Sequence, residues 1–223
     1  MALSFELYWS FRSPYSYIAL SRVMLLTRDF AVEVKMRVVH PAAIRNPAYF
    51  RAMNPLARSY FLLDSAREAA FHGLPFRRPV PDPIVQDQQT LAIAAHQPYI
   101  HRLSRLGIAA MERGRGLAFC DEVSRVLWGG RVDNWHEGDH LARAAERAGL
   151  DLAELDRAIA AEPERHEAAL AMNDATLRAA GHWGVPTAVF RDEPFFGQDR
   201  LETLIWRLSQ HGLAPRDKED RVP

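Results

Sequence analysis

The sequence predicts an α/β fold in which both ends of the chain build one sheet and an all-helical domain is inserted between them. Three observations support this prediction. Residues 3–9 and 32–39 alternate between apolar and polar side chains, as half-buried strands do, and an apolar segment of helical length separates them. Residues 41–181 contain several helical patterns but almost no strand pattern. Residues 185–192 and 193–198 then have the pattern of a short pair of strands.

The first strand, helix and second strand follow from the N-terminal residues. The segment LSFELYW at 3–9 is rich in aromatic residues and alternates, and VEVKMRVV at 32–39 alternates again. Between them, Ser13 and Pro14 open an apolar segment that ends near Arg28. Ser is a preferred N-cap residue and Pro is favoured at the first helical position, so this pair predicts a helix that begins at Pro14.

The middle of the chain predicts helices alone. Gly and Pro residues at 73–83 separate the first of these helices from the others. After the strand pair, residues 199–212 predict an amphipathic helix with Asp199 near its start, and we expect the charged tail at 215–223 to be frayed. The helices predicted for the middle block cover residues 58–72, 85–106, 116–128, 136–148, 151–161 and 166–180.

The predicted order of elements is therefore βαβ, a helical block and ββα. Two parallel strands joined by a helix, followed by an antiparallel hairpin and a last helix, have the connectivity of thioredoxin. The sequence thus predicts a thioredoxin-like fold with an inserted all-helical domain. The thioredoxin-like domain comprises residues 1–42 and 182–223, and the helical insertion domain comprises residues 43–181.

The composition excludes several classes of function. Among 223 residues, 28 Lys and Arg balance 28 Asp and Glu, so no overall field attracts nucleic acid or an anionic membrane. No apolar run approaches the roughly 18 residues that a bilayer span requires, and no secretory pattern is present, so we expect a cytoplasmic protein. The lone Cys120 cannot form an internal disulfide, and no Cys-x-x-Cys pair exists. We expect Cys120 in the core, with a reactive thiol as the alternative.

Four short motifs stand in order along the chain: S-P-Y-S-Y at 13–17, a middle segment, G-V-P-T at 184–187 and F-G-Q-D-R-L at 196–201. The middle segment comprises Tyr60, Asp64, Arg67, Ala69 and G-L-P-F at 73–76. Together these motifs resemble those of the 2-hydroxychromene-2-carboxylate isomerase family. That family is related to kappa-class glutathione transferases and, more distantly, to DsbA-like oxidoreductases.

The resemblance implies that the reactive group acts at the N-terminus of the first helix. Ser13 and Ser16 stand where the two cysteines of a dithiol pair would be, so the thiol must come from another molecule, and the resemblance implies glutathione. Ser13 would donate a hydrogen bond to the sulfur and, with the helix dipole, stabilise its thiolate. Capping of the helix is the compatible alternative. Pro186 is expected in the cis form opposite Ser13.

The resemblance also implies contacts to glutathione. Val185, beside Pro186, is expected to pair its backbone with the cysteinyl part like an added strand. Asp199 and Arg200 are expected near the γ-glutamyl group, with helix capping and a surface charge as the alternative. Asn54 resembles a glutathione-binding Asn of the family, and an Asn-Pro turn is its alternative.

Several positions depart from the family pattern. Ser10 stands where family members often carry Asp, and Arg12 replaces an apolar residue beside Ser13. Ala57 replaces a common Lys, for which the adjacent Arg58 is a possible substitute. Asn173 lies at a family-like distance before Gly-Val-Pro, and we expect it on a helix surface rather than in the substrate pocket.

Two histidine patterns are expected to be structural. His136 to His140 match H-E-x-x-H, but Gly138 lies inside the motif at a predicted helix start, so no metal site is predicted. His182 is expected to be a hydrogen-bonded structural residue, with a place in the active cleft as its alternative.

With the resemblance, these residues predict a glutathione-dependent cis-trans isomerase that acts on an aromatic or conjugated keto acid by reversible thiolate addition. One alternative is a kappa-like glutathione transferase that conjugates electrophiles. A second is a non-catalytic protein that binds thiols or peptides on the same fold. The resemblance also implies a homodimer with a small-molecule substrate, and no nucleic-acid or membrane partner is expected.

Overall fold

The computed structural model describes residues 3–87 and 89–216 of the chain. Its centre is a four-stranded sheet made of β1 (Leu3–Trp9), β2 (Val32–Val38), β3 (Thr187–Phe190) and β4 (Glu193–Phe196), in the order β2-β1-β3-β4. β1 pairs in parallel with β2, and β3 pairs antiparallel with both β1 and β4. The predicted thioredoxin-like fold is therefore confirmed.

Helix α1 (Pro14–Asp29) begins and ends close to where the sequence predicts. Ser13 caps its N-terminus, and Pro14 fills the first helical position, where a missing N–H costs nothing. The helix ends at Phe30, whose backbone is extended and leads into β2. The apolar face of α1 packs into the core through Ile18, Leu20, Val23 and Leu26.

Nine further helices lie in the described part of the chain. They are α2 (Ala42–Arg45), α3 (Pro47–Ala52), α4 (Pro55–Phe71), α5 (Ile100–Glu112), α6 (Gly116–Trp128), α7 (His140–Arg147), α8 (Leu152–Ala161), α9 (Pro163–Ala179) and α10 (Leu201–Ser209). Five of the predicted helices thus agree with α4, α6, α8, α9 and α10 to within a few residues. None of the helices in residues 3–87 and 89–216 is long and apolar enough to cross a membrane.

The predicted helix over residues 85–106 is wrong in its first part, because α5 begins only at Ile100. Residues 85–87 and 89–99 instead form irregular structure. Leu91 has a φ of 61°, which belongs to the left-handed region and cannot occur inside an α-helix. Pro98 lacks the N–H that a helix interior requires. Apolar spacing alone did not show these two local constraints.

Two smaller differences concern helix starts. α7 begins at His140 rather than at residue 136, because Gly138 has a φ of 59° and turns the chain before the helix. The short helices α2 and α3 were not predicted; one follows Pro41 and the other begins at Pro47. Most of the predicted frayed tail, residues 217–223, lies outside the described residues.

The helical block packs directly against β2. A side chain at Gly107 of α5 would place its Cβ 3.0 Å from ring and methyl carbons of Phe11 and Val38, so even a methyl group would force these side chains to shift. Asn173 of α9 is buried and donates a hydrogen bond from Nδ2 to the Val38 carbonyl oxygen at 2.8 Å. The expected surface position of Asn173 is therefore wrong, because its amide satisfies a carbonyl at the end of the sheet.

One hydrophobic core joins the sheet and the helical block. Cys120 of α6 lies in this core and is fully buried, which raises the pKa of its thiol well above the ordinary value. The core position predicted for Cys120 is confirmed, and a buried neutral thiol is not reactive. The domain boundaries at 42/43 and 181/182 stay a prediction.

Candidate active site

A cavity of about 370 Å³ opens where β1 ends, α1 begins and the loop before β3 passes. Its size falls in the range of about 300 to 1,000 Å³ that is typical of small-molecule sites. The wall is mostly apolar and unusually rich in rings. Its ring-bearing side chains are Tyr15, Phe61, Phe76, Trp128, Trp183 and Phe196.

Ser13 lies at the edge of this cavity and uses its hydroxyl in two directions. The Oγ accepts a hydrogen bond from the Ser16 backbone N–H at 3.1 Å, which is the predicted N-cap contact. The same hydroxyl donates to the Val185 carbonyl oxygen at 3.3 Å. This second distance is long for an O–H···O bond, whose usual value is about 2.7 to 2.8 Å. The Ser13 proton is thus held weakly, at the positive end of a 16-residue helix.

The loop opposite Ser13 contains a cis peptide bond between Val185 and Pro186, as expected. Hydrogen bonds hold the loop on both sides. Thr187 donates from Oγ1 to the Gly184 carbonyl at 2.7 Å, and the Gly197 N–H donates to the Pro186 carbonyl at 2.9 Å. Val185 lines the cavity, and its backbone N–H has no hydrogen-bond partner among the described residues. A ligand could therefore pair with this N–H.

Arg12 does not extend freely into the cavity. Its Nε and Nη2 donate to the two carboxylate oxygens of Asp82, each at 3.0 Å, and Nη2 also reaches Gln86 Oε1 at 3.3 Å. Arg78 donates to the same carboxylate at 3.0 Å. Burial raises the pKa of Asp82, but the Arg12 charge, its hydrogen bonds and Arg78 together hold that pKa below its ordinary value. This network holds the segment around Asp82 and Gln86 as one wall of the cavity.

Arg58 is the cation of the cavity wall that remains available. It projects from α4, is half-buried and forms no ion pair with any of the described residues. Three arginines and one aspartate line the cavity, namely Arg12, Arg58, Arg78 and Asp82, so its charged groups are net positive. An anionic group on a ligand would meet Arg58 without displacing an existing carboxylate.

Two buried hydroxyl groups near Ser13 have no hydrogen-bond partner among the described residues. Ser10 borders the cavity and is fully buried, and its Oγ is unpaired. Ser16, at the position of a second cysteine, is also fully buried with an unpaired Oγ. An unpaired buried hydroxyl is unfavourable, so these two groups lower the stability of the fold beside Ser13.

The structure brings together Ser13, Val185 and the adjoining Pro186, which is buried behind the cavity wall. The three other predicted contacts lie elsewhere. Asn54 is exposed and caps α4, accepting from the Leu56 N–H at 2.9 Å, as its alternative role requires. Asp199 and Arg200 are exposed in a 3₁₀ turn before α10, and their charged groups lie 3.5 Å apart. The glutathione contacts assigned to these three residues stay predictions.

Much of the cavity wall was missed by sequence reasoning. Arg78 and Asp82 come from a Pro-rich segment that was predicted only to separate two helices, and Gln86 comes from a segment that was predicted to be helical. A usable signal was present, because an Asp between two prolines beside two arginines is an unusual concentration of charge in a turn. Its partner Arg12 is 70 residues away in sequence, and no local pattern connects them.

The two histidine patterns make mainly local contacts in the structure. His182 Nδ1 accepts from the Gly184 N–H at 2.9 Å, and its ring stacks on Phe196 with centroids 4.0 Å apart. Burial lowers the pKa of His182, which favours this neutral acceptor form. His136 contacts Tyr99, while His140 only begins α7, so among the described residues the H-E-x-x-H motif forms no metal-ligand cluster.

Comparison with known proteins agrees with this architecture. A solved 2-hydroxychromene-2-carboxylate isomerase superposes with a TM-score of 0.70 at 20% identity, covering 94% of this chain and 96% of its own. A probable DsbA oxidoreductase from Streptomyces coelicolor has a TM-score of 0.65 at 22% identity, covering 99% of this chain and 92% of its own. The cytosolic disulfide reductase DsbM from Pseudomonas aeruginosa, solved with GSH, has a TM-score of 0.55 at 18% identity, covering 92% of this chain and 100% of its own.

These identities are low, so the three structures show a shared fold. No curated protein sequence matches the chain. Residues 5–209 match the model of the DSBA-like thioredoxin domain. The chain therefore belongs to the DSBA-like thioredoxin domain family.

Proposed function

We propose that this protein is a glutathione-dependent cis-trans isomerase of an aromatic or conjugated keto acid, of the 2-hydroxychromene-2-carboxylate type. The observation that carries the proposal is the Ser13 hydroxyl, which lies at a helix N-terminus beside the cavity and only weakly donates to Val185. The fold similarity to a 2-hydroxychromene-2-carboxylate isomerase supports the reaction class, and the fold similarity to a disulfide reductase solved with GSH supports glutathione as the thiol.

A dithiol oxidoreductase is a poorer interpretation of this site. Ser13 and Ser16 occupy the positions of the two cysteines, and a hydroxyl cannot exchange disulfides. The lone Cys120 is fully buried, and its raised pKa keeps it as a neutral thiol. Sulfur chemistry in this cavity therefore requires a thiol that the protein binds.

The residues around Ser13 fit such a thiol. The unpaired Val185 N–H and the Val185 carbonyl could pair with a peptide unit, in the manner of an added strand. When bound, glutathione supplies a thiolate that adds to a conjugated double bond and leaves again after rotation about the resulting single bond.

Ser13 would stabilise that thiolate. Its proton can turn from the Val185 carbonyl to a sulfur anion, because the existing bond at 3.3 Å is weak. The Ser16 N–H continues to donate to the Ser13 Oγ, which polarises the hydroxyl toward the sulfur. Ser13 then acts as a hydrogen-bond donor and not as a nucleophile, since no histidine among the described residues contacts its Oγ to take its proton.

The cavity wall favours an aromatic anion as substrate. The ring-bearing side chains provide apolar surface for an aromatic group, and the wall carries a net positive charge. Arg58 would hold the carboxylate of the keto acid, because Arg12 and Arg78 already share Asp82. Arg58 directly follows Ala57, the position at which the resembled family commonly carries Lys, and this neighbourhood fits the role.

The test incubates the protein with glutathione and 2-hydroxychromene-2-carboxylate, while the ratio of substrate isomers and the total free thiol are recorded together. We expect isomer conversion at constant free thiol, loss of conversion in Ser13→Ala, and normal conversion in Ser21→Ala. Ser21 is the matched control, because it lies on the same helix and its hydroxyl contacts only the Ile18 carbonyl.

The other outcomes separate the alternatives. Loss of free thiol with formation of a conjugate would assign a transferase. Conversion that survives in Ser13→Ala would overturn the role of the hydroxyl. If neither variant nor wild type binds glutathione, the proposal is wrong and a non-catalytic binding protein becomes the better description.

We also propose a homodimer in the cytoplasm, where glutathione is available. The support for a dimer is an apolar strip on α4, with Leu56, Leu63 and Phe71 exposed by 78%, 57% and 80%. Light scattering of the full chain tests the oligomeric state, and a monomer at all concentrations would contradict it.

A further inference from the structure

A cluster of two histidines and a glutamate lies where three elements meet. His40 follows β2, His101 belongs to α5 and Glu167 belongs to α9. Each offers one potential ligand atom, and these atoms all lie within 4.8 Å of one another. His40 Nε2 is 2.8 Å from Glu167 Oε2, and His101 Nδ1 is 3.3 Å from Glu167 Oε1. Two histidines thus meet one carboxylate from far away in sequence. His40 is 127 positions from Glu167, and His101 is 66 positions from it.

We propose that His40, His101 and Glu167 form a binding site for a zinc ion. Two imidazole nitrogens and one carboxylate oxygen are donors that zinc accepts, and zinc sites often combine three protein ligands with a solvent molecule. The side chains of His101 and Glu167 are each 36% exposed, so solvent can reach the fourth position. The His40 side chain is only 12% exposed and forms the inner side of the site.

The surroundings of the cluster orient its ligands. The Ser104 hydroxyl lies 3.0 Å from His40 Nδ1, and this contact directs His40 Nε2 toward Glu167. Histidine ligands of metals usually have such a partner on the second nitrogen, because it fixes the ring and the tautomer. Arg105 donates from Nε to Glu167 Oε1 at 2.8 Å and holds the carboxylate in place. A carboxylate oxygen has two lone pairs, so this contact leaves acceptor capacity for a cation.

This site is distinct from the cavity beside Ser13. Pro41 and Ala42 line that cavity, whereas none of the three ligands does. A zinc ion here would cross-link the end of β2 to α5 and α9. Its expected consequence is therefore stability of the junction between the sheet and the helical block, and the isomerase reaction proposed above is not needed for it.

The test uses the full chain after treatment with a chelator and dialysis, with no glutathione present because thiols bind zinc. Zinc chloride is titrated by calorimetry, and thermal unfolding is measured with and without the ion. Cobalt(II) is added in parallel, because its visible absorption reports tetrahedral nitrogen and oxygen coordination. We expect one ion per chain, a higher Tm with zinc and an intense cobalt spectrum.

Two variants and a control decide whether these residues are the ligands. His101→Gln and Glu167→Gln should each weaken zinc binding at least tenfold and abolish the cobalt spectrum. His96→Gln, which removes an exposed histidine outside the cluster, should change neither. The unfolding curve of each variant without metal verifies that it is folded.

Two results would overturn the proposal. One is the absence of zinc binding to the folded wild-type chain, which would leave the cluster as a hydrogen-bond network. The other is equal zinc affinity in wild type, His101→Gln and Glu167→Gln, which would assign the binding to other histidines.

Discussion

Replacement of Ser13 by alanine provides the sharpest prediction, because it removes one hydroxyl and leaves the cavity walls intact. In the free protein this hydroxyl caps α1 and donates to Val185. With a thiol bound, it would donate to the sulfur. The variant should therefore raise the pKa of the bound thiol.

The size of the change follows from the contacts. Lowering a thiol pKa from about 8.5 to about 6.5 requires about 2.7 kcal/mol, at about 1.36 kcal/mol for each pKa unit. The N-terminus of α1 typically supplies about 0.3 to 1 kcal/mol of this. A hydrogen bond to a charged acceptor adds about 1.5 to 3 kcal/mol. Without the hydroxyl, the pKa of the bound thiol should thus rise by about 1 to 2, and the thiolate fraction at pH 7 should fall from about three quarters to about one quarter or less.

The assay is the ultraviolet absorbance of the thiolate, recorded against pH at saturating glutathione for wild type, Ser13→Ala and Ser21→Ala. Because alanine also removes the cap, at a cost of about 0.5 to 2 kcal/mol of stability, Ser13→Gly is included as a variant that caps almost as well as serine. Equal thiol pKa values in wild type and both Ser13 variants would refute the reasoning. Glycine keeps the helix cap but lacks the hydroxyl. If the thiol pKa rises equally in Ser13→Ala and Ser13→Gly, the rise therefore comes from the lost hydrogen bond to sulfur and not from the lost cap.

Three further predictions concern the cavity wall and the core. In steady-state kinetics, Arg58→Ala should raise the KM for an anionic substrate roughly tenfold, since a charged hydrogen bond contributes at least about 1.5 kcal/mol. The control Arg67→Ala, on the same helix, should leave this KM unchanged. Asp82→Asn should lower the free energy of unfolding in urea by about 2 kcal/mol, less than the roughly 3 to 5 kcal/mol of a fully buried pair. Because the folded-state pKa of Asp82 is lowered, its contribution to stability is complete above the ordinary value of 3.8 and is lost as the pH falls below that value. The free energy of unfolding of Asp82→Asn should therefore change less with acid pH than that of wild type. Gly107→Val should lower stability by about 1 to 3 kcal/mol through contact with the sheet, and an unchanged urea midpoint would contradict the observed packing.

The sheet was predictable because its signals are local. Alternation at 3–9 and 32–39 and the Ser13-Pro14 start of α1 depend only on neighbouring residues, and the structure follows them. The segment 85–99 was not predictable in the same way, since its apolar spacing suits a helix while Leu91 and Pro98 prevent one. Sequence spacing does not report a left-handed backbone at a leucine.

Only the part of the candidate site that contains Ser13 and Val185 was predictable from the sequence. Ser13 and Val185 follow from the helix start and the resemblance, and they do meet across the cavity. The wall that faces them depends on contacts over long separations, such as Arg12 with Asp82, and no periodicity records such contacts. Asn173 shows the same limit, because only the folded chain reveals that its amide completes the end of β2.

The ion pair between Arg12 and Asp82 also has a consequence for how such chains diversify. The Ser13 turn belongs to the strand and helix at the start of the chain, whereas the facing wall is an irregular segment attached to them by a few side-chain contacts. These are the contacts of Arg12 with Asp82 and Gln86 and of the Tyr17 hydroxyl with the Pro75 carbonyl. Changes of length or sequence within that segment can reshape the cavity without disturbing the sheet, provided that a carboxylate still meets Arg12. Grafting foreign segments between residues 79 and 98 with this aspartate retained is therefore a direct way to alter ligand preference while keeping the chemistry.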